Sequence, residues 1–256
     1  MNTQQMTLKA QLESAYTLRN NPNELCEQKP DPLLVVHRYK HRESIDKIAI
    51  VCALLAYGNA RQIVRTLGAI PLELFASPHQ LAHATFPLYR FQTADDIKAL
   101  CMALAQIPLR DVFCAAADSA PRHLAALYGI AALQRAILSA TTYRSRGFTF
   151  LIGLPYNPDK SPYSQGAFKR WNLFLRWAIR KDCLDLGFWE GTISPSQLFL
   201  PLDTHTSTLC VELGILEHKA NHLQAVFCAT DALARLNPHD PIKYDFALYR
   251  IGQERR

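Results

Sequence analysis

Hydrophobic residues recur at intervals of three or four along most of this chain, the spacing that places them on one face of an α-helix. Ile45, Ile48, Cys52 and Leu55 show the pattern, and Ser44 before them is a residue type that caps helix starts. The same spacing predicts further helices near residues 7–18, 60–69, 94–107, 122–141, 164–180, 204–213, 221–235 and 240–252. Alternation typical of strands is weak, and its best example is FTFLIG at 148–153. The pattern therefore predicts an all-α fold.

Length and composition are those of a globular protein. The 256 residues are 49 % hydrophobic and 20 % charged, enough to bury a sizeable core in one large domain or in two lobes that share it. The net charge of +6 permits a polyanionic partner but does not require one. No stretch approaches the ~18 apolar residues of a membrane span, and the polar start MNTQQMTLKA lacks the apolar core of a signal peptide. We therefore expect a cytoplasmic protein without membrane contact.

The seven cysteines are scattered and form no CxxC pair. Zinc ribbons and iron–sulfur clusters need closely spaced thiolates, so the sequence predicts no metal site of these kinds and no cofactor. Several of the cysteines lie in apolar helical stretches, where we expect them to be small buried hydrophobes in a reducing compartment.

The helix predicted at 164–180 follows a long polar segment, GLPYNPDKSPYSQG at 153–166, which is either an ordered functional loop or a surface connector. Within the helix an apolar stripe lies beside a largely basic face. The stripe consists of Phe168, Trp171, Leu175 and Ile179, and the basic face of Lys169, Asn172, Leu173, Arg176 and Arg180. That face is either solvated or a row of contacts to the phosphates of a nucleic acid.

The segment PLDTHTST at 201–208 places an aspartate at a helix start. Asp203 fits an N-cap, because its side chain can accept backbone N–H bonds and its charge suits the positive end of the helix dipole. It is also a candidate catalytic carboxylate beside Lys169, since an amine can attack an electrophilic sugar carbon while a carboxylate stabilises positive charge. Arg170 or partial burial would raise the neutral fraction of the lysine, whereas a tight ion pair would lower it. The lysine and the aspartate must therefore be close but not locked together.

PLDTH also resembles the aspartate-bearing helix start of the helix-hairpin-helix DNA glycosylase superfamily, although the usual Leu-Pro-x-Val-Gly-x-Lys hairpin is missing. The chain is most similar to the archaeal GO glycosylase, an 8-oxoguanine DNA glycosylase with β-lyase activity and an atypical hairpin. There the nucleophilic lysine opens a helix well before the aspartate. KRWNLFLRW reproduces that layout, with Lys169 and Asp203 34 residues apart. Lys181, 22 residues before Asp203, matches the ordinary superfamily spacing and competes for the role.

Two further segments carry the resemblance. LLAYGNARQI at 54–63 is similar to the segment with which the family reads the base; the family's glutamine falls at Gly58, which leaves Asn59 or Gln62 to substitute. PIKYDFALYRIG at 241–252 resembles the family's C-terminal helix. By that match Asp245 would hydrogen-bond the purine and Tyr249, in place of a tryptophan, would stack on it; otherwise they are an i,i+4 pair on a packing helix. The chain also resembles a bacterial family with the same PLDTHT…DP.KYDFAL.R.G pattern.

The resemblance implies a monomer of two helical lobes, spanning residues 1–256, with a cleft between them for damaged double-stranded DNA. An 8-oxoguanine base would be flipped out of the duplex and excised. Lys169 would attack C1′ and leave an imine that permits strand nicking, and Asp203 would stabilise the developing charge. Trp171 is a further candidate for substrate contact. The candidate DNA-binding residues are Arg170, Arg176, Arg180, His37, Arg38 and His41.

Two other classes of protein stay open from the residues alone. HRYKHR at 37–42 is either a solvated loop or a basic patch that would serve a non-catalytic nucleic-acid-binding protein. A metal-dependent hydrolase would need the i,i+4 histidine pairs to converge. Those pairs are His37 with His41, His79 with His83, and His218 with His222, and none has the glutamate of an H-E-x-x-H motif.

Overall fold

A computed structural model describes residues 3–254, and its regular elements are helices. The α-helices are α1 (Thr3–Arg19), α2 (Pro32–Arg38), α3 (Ile45–Leu54), α4 (Ala60–Leu67), α5 (Pro78–His83), α6 (Ala94–Ala105), α7 (Leu109–Asp118), α8 (Ala125–Ser139), α9 (Arg146–Ile152), α10 (Lys169–Ile179), α11 (Thr204–Glu212), α12 (Leu223–Ala234) and α13 (Asp245–Glu254). Short 3₁₀ turns link several of them. Extended pairing among the described residues is limited to isolated bridges. The predicted all-α class is confirmed.

The strand predicted at 148–153 is wrong, because this segment forms most of α9. Ser145 caps the helix by accepting the backbone N–H of Phe148 at 2.9 Å. Phe148, Leu151 and Ile152 then point into the core at helical spacing. The segment FTFLI looks like an alternating strand because Phe150 is apolar although it is 41 % exposed on the helix.

Three further helices, α2, α5 and α7, were not predicted. Helix α2 has local start signals: Asp31 accepts the N–H of Leu33 at 2.9 Å, and Pro32 occupies the first helical position. The helix predicted at 164–180 is shorter, since it begins at Lys169 and ends at Ile179. Ser44 precedes α3 as predicted, but its side chain makes no capping bond.

The chain divides into two compact units. The first consists of Met1–Glu24 with Asn157–Arg256, and the second of Leu25–Tyr156. In the second unit, α7 packs along α8, where Gly129 leaves room for the ring of Phe113. In the first unit, α13 packs against both α1 and α11. The contact with α11 is the one that matters for the candidate site, because α11 begins directly after Asp203.

Within residues 3–254, each single helix is too short or too polar to cross a membrane. Helices α6 and α7 reach the required length and apolar content only when taken together, and they are bent by 72° at the break between them.

All seven cysteines are free thiols. Cys52, Cys101 and Cys210 are buried as predicted, and burial raises the pKa of each of these thiols.

The interior of the first unit contains two ion-paired arginines. Arg176 and Arg180 are 3 % and 4 % exposed, so the basic face expected on α10 is not solvated. Arg176 Nε donates to Asp185 Oδ1 at 3.1 Å, and its Nη1 donates to Asp245 Oδ2. Arg180 Nε donates to both oxygens of Asp240 at 2.9 and 3.0 Å, while its Nη1 donates to Asp185.

This network corrects the assignment of Arg176 and Arg180 as DNA-binding residues. Every residue from Trp171 to Arg180 is buried, so the polar face of the helix is interior as well as the apolar one. Arg180 Nη2 donates in addition to Asp182 at 2.9 Å. The charges that looked available for phosphates are neutralised by aspartates of the same unit.

Replacing Arg180 by alanine should therefore destabilise the fold rather than weaken DNA binding selectively. Removing one partner of a buried ion pair leaves uncompensated carboxylates and costs about 3–5 kcal/mol. The neighbouring Lys181 is the matched control, because it is exposed and pairs with Glu190 at 2.9 Å. Lys181→Ala should cost at most ~1 kcal/mol. Urea unfolding monitored by circular dichroism measures both; equal costs would contradict a structural role for Arg180.

Candidate active site

Lys169 is the first residue of α10 and follows an unusual backbone turn. Phe168 has φ 49° and ψ 29°, in the left-handed region that residues other than glycine rarely adopt. Asn172 holds the turn from the helix side: its N–H donates to the Phe168 carbonyl at 2.9 Å, and its Nδ2 donates to the Ala167 carbonyl at 3.2 Å. Strain of this kind costs of order 1–3 kcal/mol and clusters at functional sites.

The segment before this turn is an ordered loop. The buried side chain of Gln165 ties it together: its Oε1 accepts the N–H of Asn157 at 2.9 Å, and its Nε2 donates to the carbonyls of Asn157 and Lys160. The Gln165 carbonyl in turn accepts the N–H of Leu223, the first residue of α12, at 2.9 Å. The loop is thus anchored to the same unit that carries Lys169.

Asp203 is the N-cap of α11, as predicted. One oxygen, Oδ1, accepts the backbone N–H groups of His205 and Thr206, both at 2.9 Å. The other oxygen, Oδ2, lies 3.7 Å from Lys169 Nζ. The two side chains are 28 % and 31 % exposed, so both remain within reach of a ligand from solvent. The cap consequently fixes the carboxylate while leaving one oxygen directed at the lysine.

The separation of 3.7 Å is longer than the 2.7–2.9 Å of a tight charge-assisted hydrogen bond. Imine chemistry at this pair needs such a separation, since the lysine and the aspartate must be close but not locked together. Burial raises the pKa of Asp203, but the charge of Lys169 and the N–H bonds of Thr206 and His205 outweigh it and leave the pKa below its usual value. Asp203 is therefore ionised at neutral pH. Arg170, next to Lys169, is half-buried.

The competing lysine, Lys181, occupies a different environment. It lies at the surface beyond the end of α10, with a side chain 63 % exposed and paired with Glu190. Lys169 is the lysine of the two that faces Asp203. The geometry therefore favours the longer of the two sequence spacings.

Asp245 begins α13 and is buried, with its Oδ2 accepting from Arg176. Burial raises the pKa of Asp245, with Arg176 acting in the opposite direction, and the carboxylate also feels the charges of Lys169 and Asp203. At 4 % exposure and with one oxygen held by Arg176, Asp245 is not open to the predicted purine, which corrects its assignment as a substrate-binding residue. The ion pair with Arg176 was not foreseen.

The two aromatic candidates differ in accessibility. Tyr249 is half-buried on α13, and its hydroxyl accepts from Gln253 Nε2 at 2.7 Å. Trp171 is 3 % exposed, which corrects its assignment as a substrate-binding residue: it lies on the interior side of α10. Tyr249 is the less buried of the two, and its ring packs against Phe246 at 6.4 Å and against the guanidinium of Arg250 at 5.6 Å.

The remaining candidates belong to the second unit. Asn59 is exposed and caps α4, with its Oδ1 accepting the N–H groups of Arg61 at 3.0 Å and Gln62 at 3.3 Å. Gln62 is also exposed. At the end of α2, His37 is half-buried, whereas Arg38 and His41 are exposed.

The described histidines make local contacts. His83 Nδ1 lies 2.9 Å from the His79 carbonyl, and His222 Nδ1 accepts the N–H of Ala225 to cap α12. Across residues 3–254 the structure contains no group of three or more histidine, cysteine, aspartate or glutamate side chains placed to hold a metal ion.

The fold and this site define an all-α protein with a lysine and an aspartate facing each other at the starts of two helices. Residues 31–254 match the model of a family described as a protein of unknown function (DUF2400), and the chain belongs to that family. No curated protein and no solved structure matches the chain.

The double role of Asp203 has a measurable consequence for stability. Asp203→Ala removes the cap and should lower the free energy of unfolding by ~1 kcal/mol. Asp203→Asn keeps an oxygen that can accept the same N–H groups, so it should lower the free energy of unfolding by less. Urea unfolding at neutral pH compares the variants with the wild-type protein. Equal losses for alanine and asparagine would contradict the capping role.

The charge of Asp203 should also make stability depend on pH. Because its pKa is lowered in the folded protein, its contribution is present above the unfolded-state pKa near ~3.9 and is lost as the pH falls through the folded-state value. The stability difference between wild-type protein and Asp203→Asn should therefore shrink on acidification to below that pH. A difference that stays constant down to acid unfolding would refute an ionised Asp203.

Proposed function

We propose that this protein is a helix-hairpin-helix-type DNA glycosylase with β-lyase activity, acting on 8-oxoguanine in double-stranded DNA. It would work as a cytoplasmic monomer without a cofactor. The observation that carries the proposal is the pair formed by Lys169 Nζ and Asp203 Oδ2, 3.7 Å apart at two helix starts. The resemblance of PLDTH, KRWNLFLRW and PIKYDFALYRIG to the archaeal GO glycosylase supports it.

In this mechanism the neutral amine of Lys169 forms a bond to C1′ of the flipped nucleotide while the bond from C1′ to the base breaks. The base leaves with the bonding electrons and takes up a proton. The Oδ2 atom of Asp203 stabilises the positive charge that develops at the sugar. Its Oδ1 atom is held by the cap, so the carboxylate needs little reorganisation as that charge appears.

The second step releases the strand. Opening of the sugar ring converts the Lys169 adduct into an imine, which acidifies the proton on C2′. Loss of that proton breaks the bond from C3′ to the phosphate oxygen, and the phosphate leaves with the electrons. The imine is then hydrolysed to restore the free amine.

The Lys169 ammonium must lose its proton before it can attack. Its Nζ lies 3.7 Å from Asp203 Oδ2, beyond the 2.7–2.9 Å of a tight charge-assisted hydrogen bond. The geometry is thus compatible with a lysine that is held in place yet available as a nucleophile.

A second candidate function is non-catalytic binding of nucleic acid. The observation that favours it is the basic segment at the end of α2, in which Arg38, Lys40, His41 and Arg42 are all exposed. Such a protein would not depend on Lys169.

Substitution of the two competing lysines separates these functions. Lys169→Gln should abolish nicking of an 8-oxoguanine duplex while retaining binding of that duplex, and Lys181→Gln should nick like the wild-type protein. Asp203→Asn should slow base release by ~10²–10³-fold, the usual effect of removing one electrostatic stabiliser. Single-turnover gels with and without alkali treatment distinguish base release from nicking.

The outcomes decide between the alternatives. Nicking that survives in Lys169→Gln but is lost in Lys181→Gln would move the nucleophile to the surface lysine. Wild-type protein that binds duplex DNA yet releases no base from a panel of single-lesion duplexes would favour the non-catalytic function. If the protein releases a base other than 8-oxoguanine, the substrate must be reassigned, while the proposed role of Lys169 still holds.

Tyr249 provides a test of base recognition. Tyr249→Ala should weaken binding of the lesion duplex more than that of an undamaged duplex, because stacking on an extruded base is worth ~1–3 kcal/mol. Fluorescence anisotropy with both duplexes measures the difference. An equal loss of affinity for the two duplexes, with an unchanged unfolding midpoint, would show that Tyr249 does not contact the extruded base.

A further inference from the structure

The second unit exposes an apolar groove beside α9. Phe91, Phe150 and Leu154 contribute its apolar part and are 49 %, 41 % and 78 % exposed. The polar part of its lining comes from Arg144, Ser145, Arg146 and Thr149. Clustered apolar exposure with a polar rim is typical of a surface that binds a partner. None of the lining residues is among those assigned to the chemistry proposed for Lys169.

The floor of this groove is rigid because a buried carboxylate ties two segments together. Asp96, 1 % exposed, accepts from the hydroxyls of Tyr143, at 3.0 Å, and Ser145. Its other oxygen accepts the N–H of Thr93 at 2.8 Å. Gly147 passes so close to Asp96 that a Cβ there would overlap the carboxylate. The start of α9 is thereby fixed to the start of α6.

Phe91 reaches the groove from a strained two-residue turn. Tyr89 and Gln92 exchange backbone hydrogen bonds of 3.1 and 2.9 Å, with Arg90 and Phe91 between them. Arg90 has φ 57°, where such turns ordinarily use glycine or asparagine. Two large side chains at a tight turn cost stability, so their presence points to a role for the surface they form.

The aromatic rings of the groove pack edge to face against their neighbours. Phe150 meets Phe91 at 4.9 Å and 74°, and meets Tyr57 at 5.0 Å and 65°, both edge to face. Stacking of nucleic-acid bases requires open ring faces, which this arrangement reduces. The aliphatic Leu154 beside them offers no ring at all. An apolar side chain of a peptide suits the groove better than a base does.

The charge of the rim specifies the partner further. The lining residues include two arginines and no acidic residue. Arg144 donates to the carbonyls of Leu138, Thr141 and Tyr143, which fixes its positive charge in place. Arg146 is exposed at the first position of α9. A carboxylate approaching the rim would meet positive charge.

We propose that this groove binds an acidic peptide segment of a partner protein, with an apolar side chain of the peptide against Phe91, Phe150 and Leu154 and a carboxylate at Arg146. The site would recruit a partner independently of the Lys169 chemistry, so the two proposals stand or fall separately.

Fluorescence anisotropy with designed peptides tests the groove. The probe is a fluorescein-labelled Gly-Asp-Asp-Asp-Leu-Phe peptide; its controls are the same peptide ending in Ser-Ser and one with lysines for the aspartates. The acidic apolar probe should bind the full chain with a Kd below ~1 mM, at least tenfold tighter than either control peptide. Binding should weaken with added salt, because the rim contact is exposed.

Surface variants locate the binding. Arg146→Glu and Leu154→Ser should each weaken the probe at least tenfold, while Arg110→Glu, at an exposed position of α7, should not. Both groove positions are exposed, so the variants should keep the wild-type unfolding midpoint. Absence of binding to the wild-type protein, equal binding of the three peptides, or binding unaffected by both groove variants would overturn the proposal. A fluorescein-labelled oligothymidine that binds through Arg146 and Leu154 while the acidic peptide does not would assign the groove to nucleic acid.

Discussion

The first unit depends on neutralising two arginines in its interior. Arg176 lies in the last turn of α10 and Arg180 is the residue that follows its end, and burying either guanidinium without a counter-charge would cost several kcal/mol. Asp185 bridges the two, while Asp245 and Asp240 complete their coordination. Full burial raises the pKa of Asp185 to about 6, against the attraction of both arginines. These ion pairs fix α10 relative to the start of α13, and so position the lysine that begins α10.

At the start of α10, the two oxygens of the Asp203 carboxylate have different partners. Oδ1 of Asp203 stabilises α11 through its cap, and Oδ2 faces Lys169. A carboxylate on a flexible loop would lose conformational entropy on engaging a developing charge, whereas a capping carboxylate is already ordered. Under the proposed mechanism, Asp203 would therefore both cap α11 and stabilise the charge that develops at the sugar.

Sequence periodicity predicted the longer helices because their buried faces repeat over several turns. It failed at α9, where one exposed ring made a short helix look like an alternating strand. It also failed at Arg176 and Arg180, since an i,i+4 pair of arginines has the same pattern on a solvated face as in the interior. Their partners Asp240 and Asp245 are distant in the sequence, so only the folded chain brings them together.

The candidate site was predicted in part. The N-cap at Asp203 follows from local sequence, and its pairing with Lys169 rather than Lys181 came from the spacing of a resembling family. The distance between them and the left-handed Phe168 are visible only in three dimensions. Phe168 carries no sequence signal, because phenylalanine is not a residue type associated with that conformation.

The most direct test of the account is to identify the atom that forms the imine. Wild-type protein is incubated with an 8-oxoguanine duplex in borohydride, which reduces the imine to a stable amine, and the crosslinked protein is digested and mapped by mass spectrometry. We expect the sugar adduct on Lys169, with trypsin no longer cleaving after that residue. An adduct on Lys181 or another amine, or no adduct with any lesion, would contradict it.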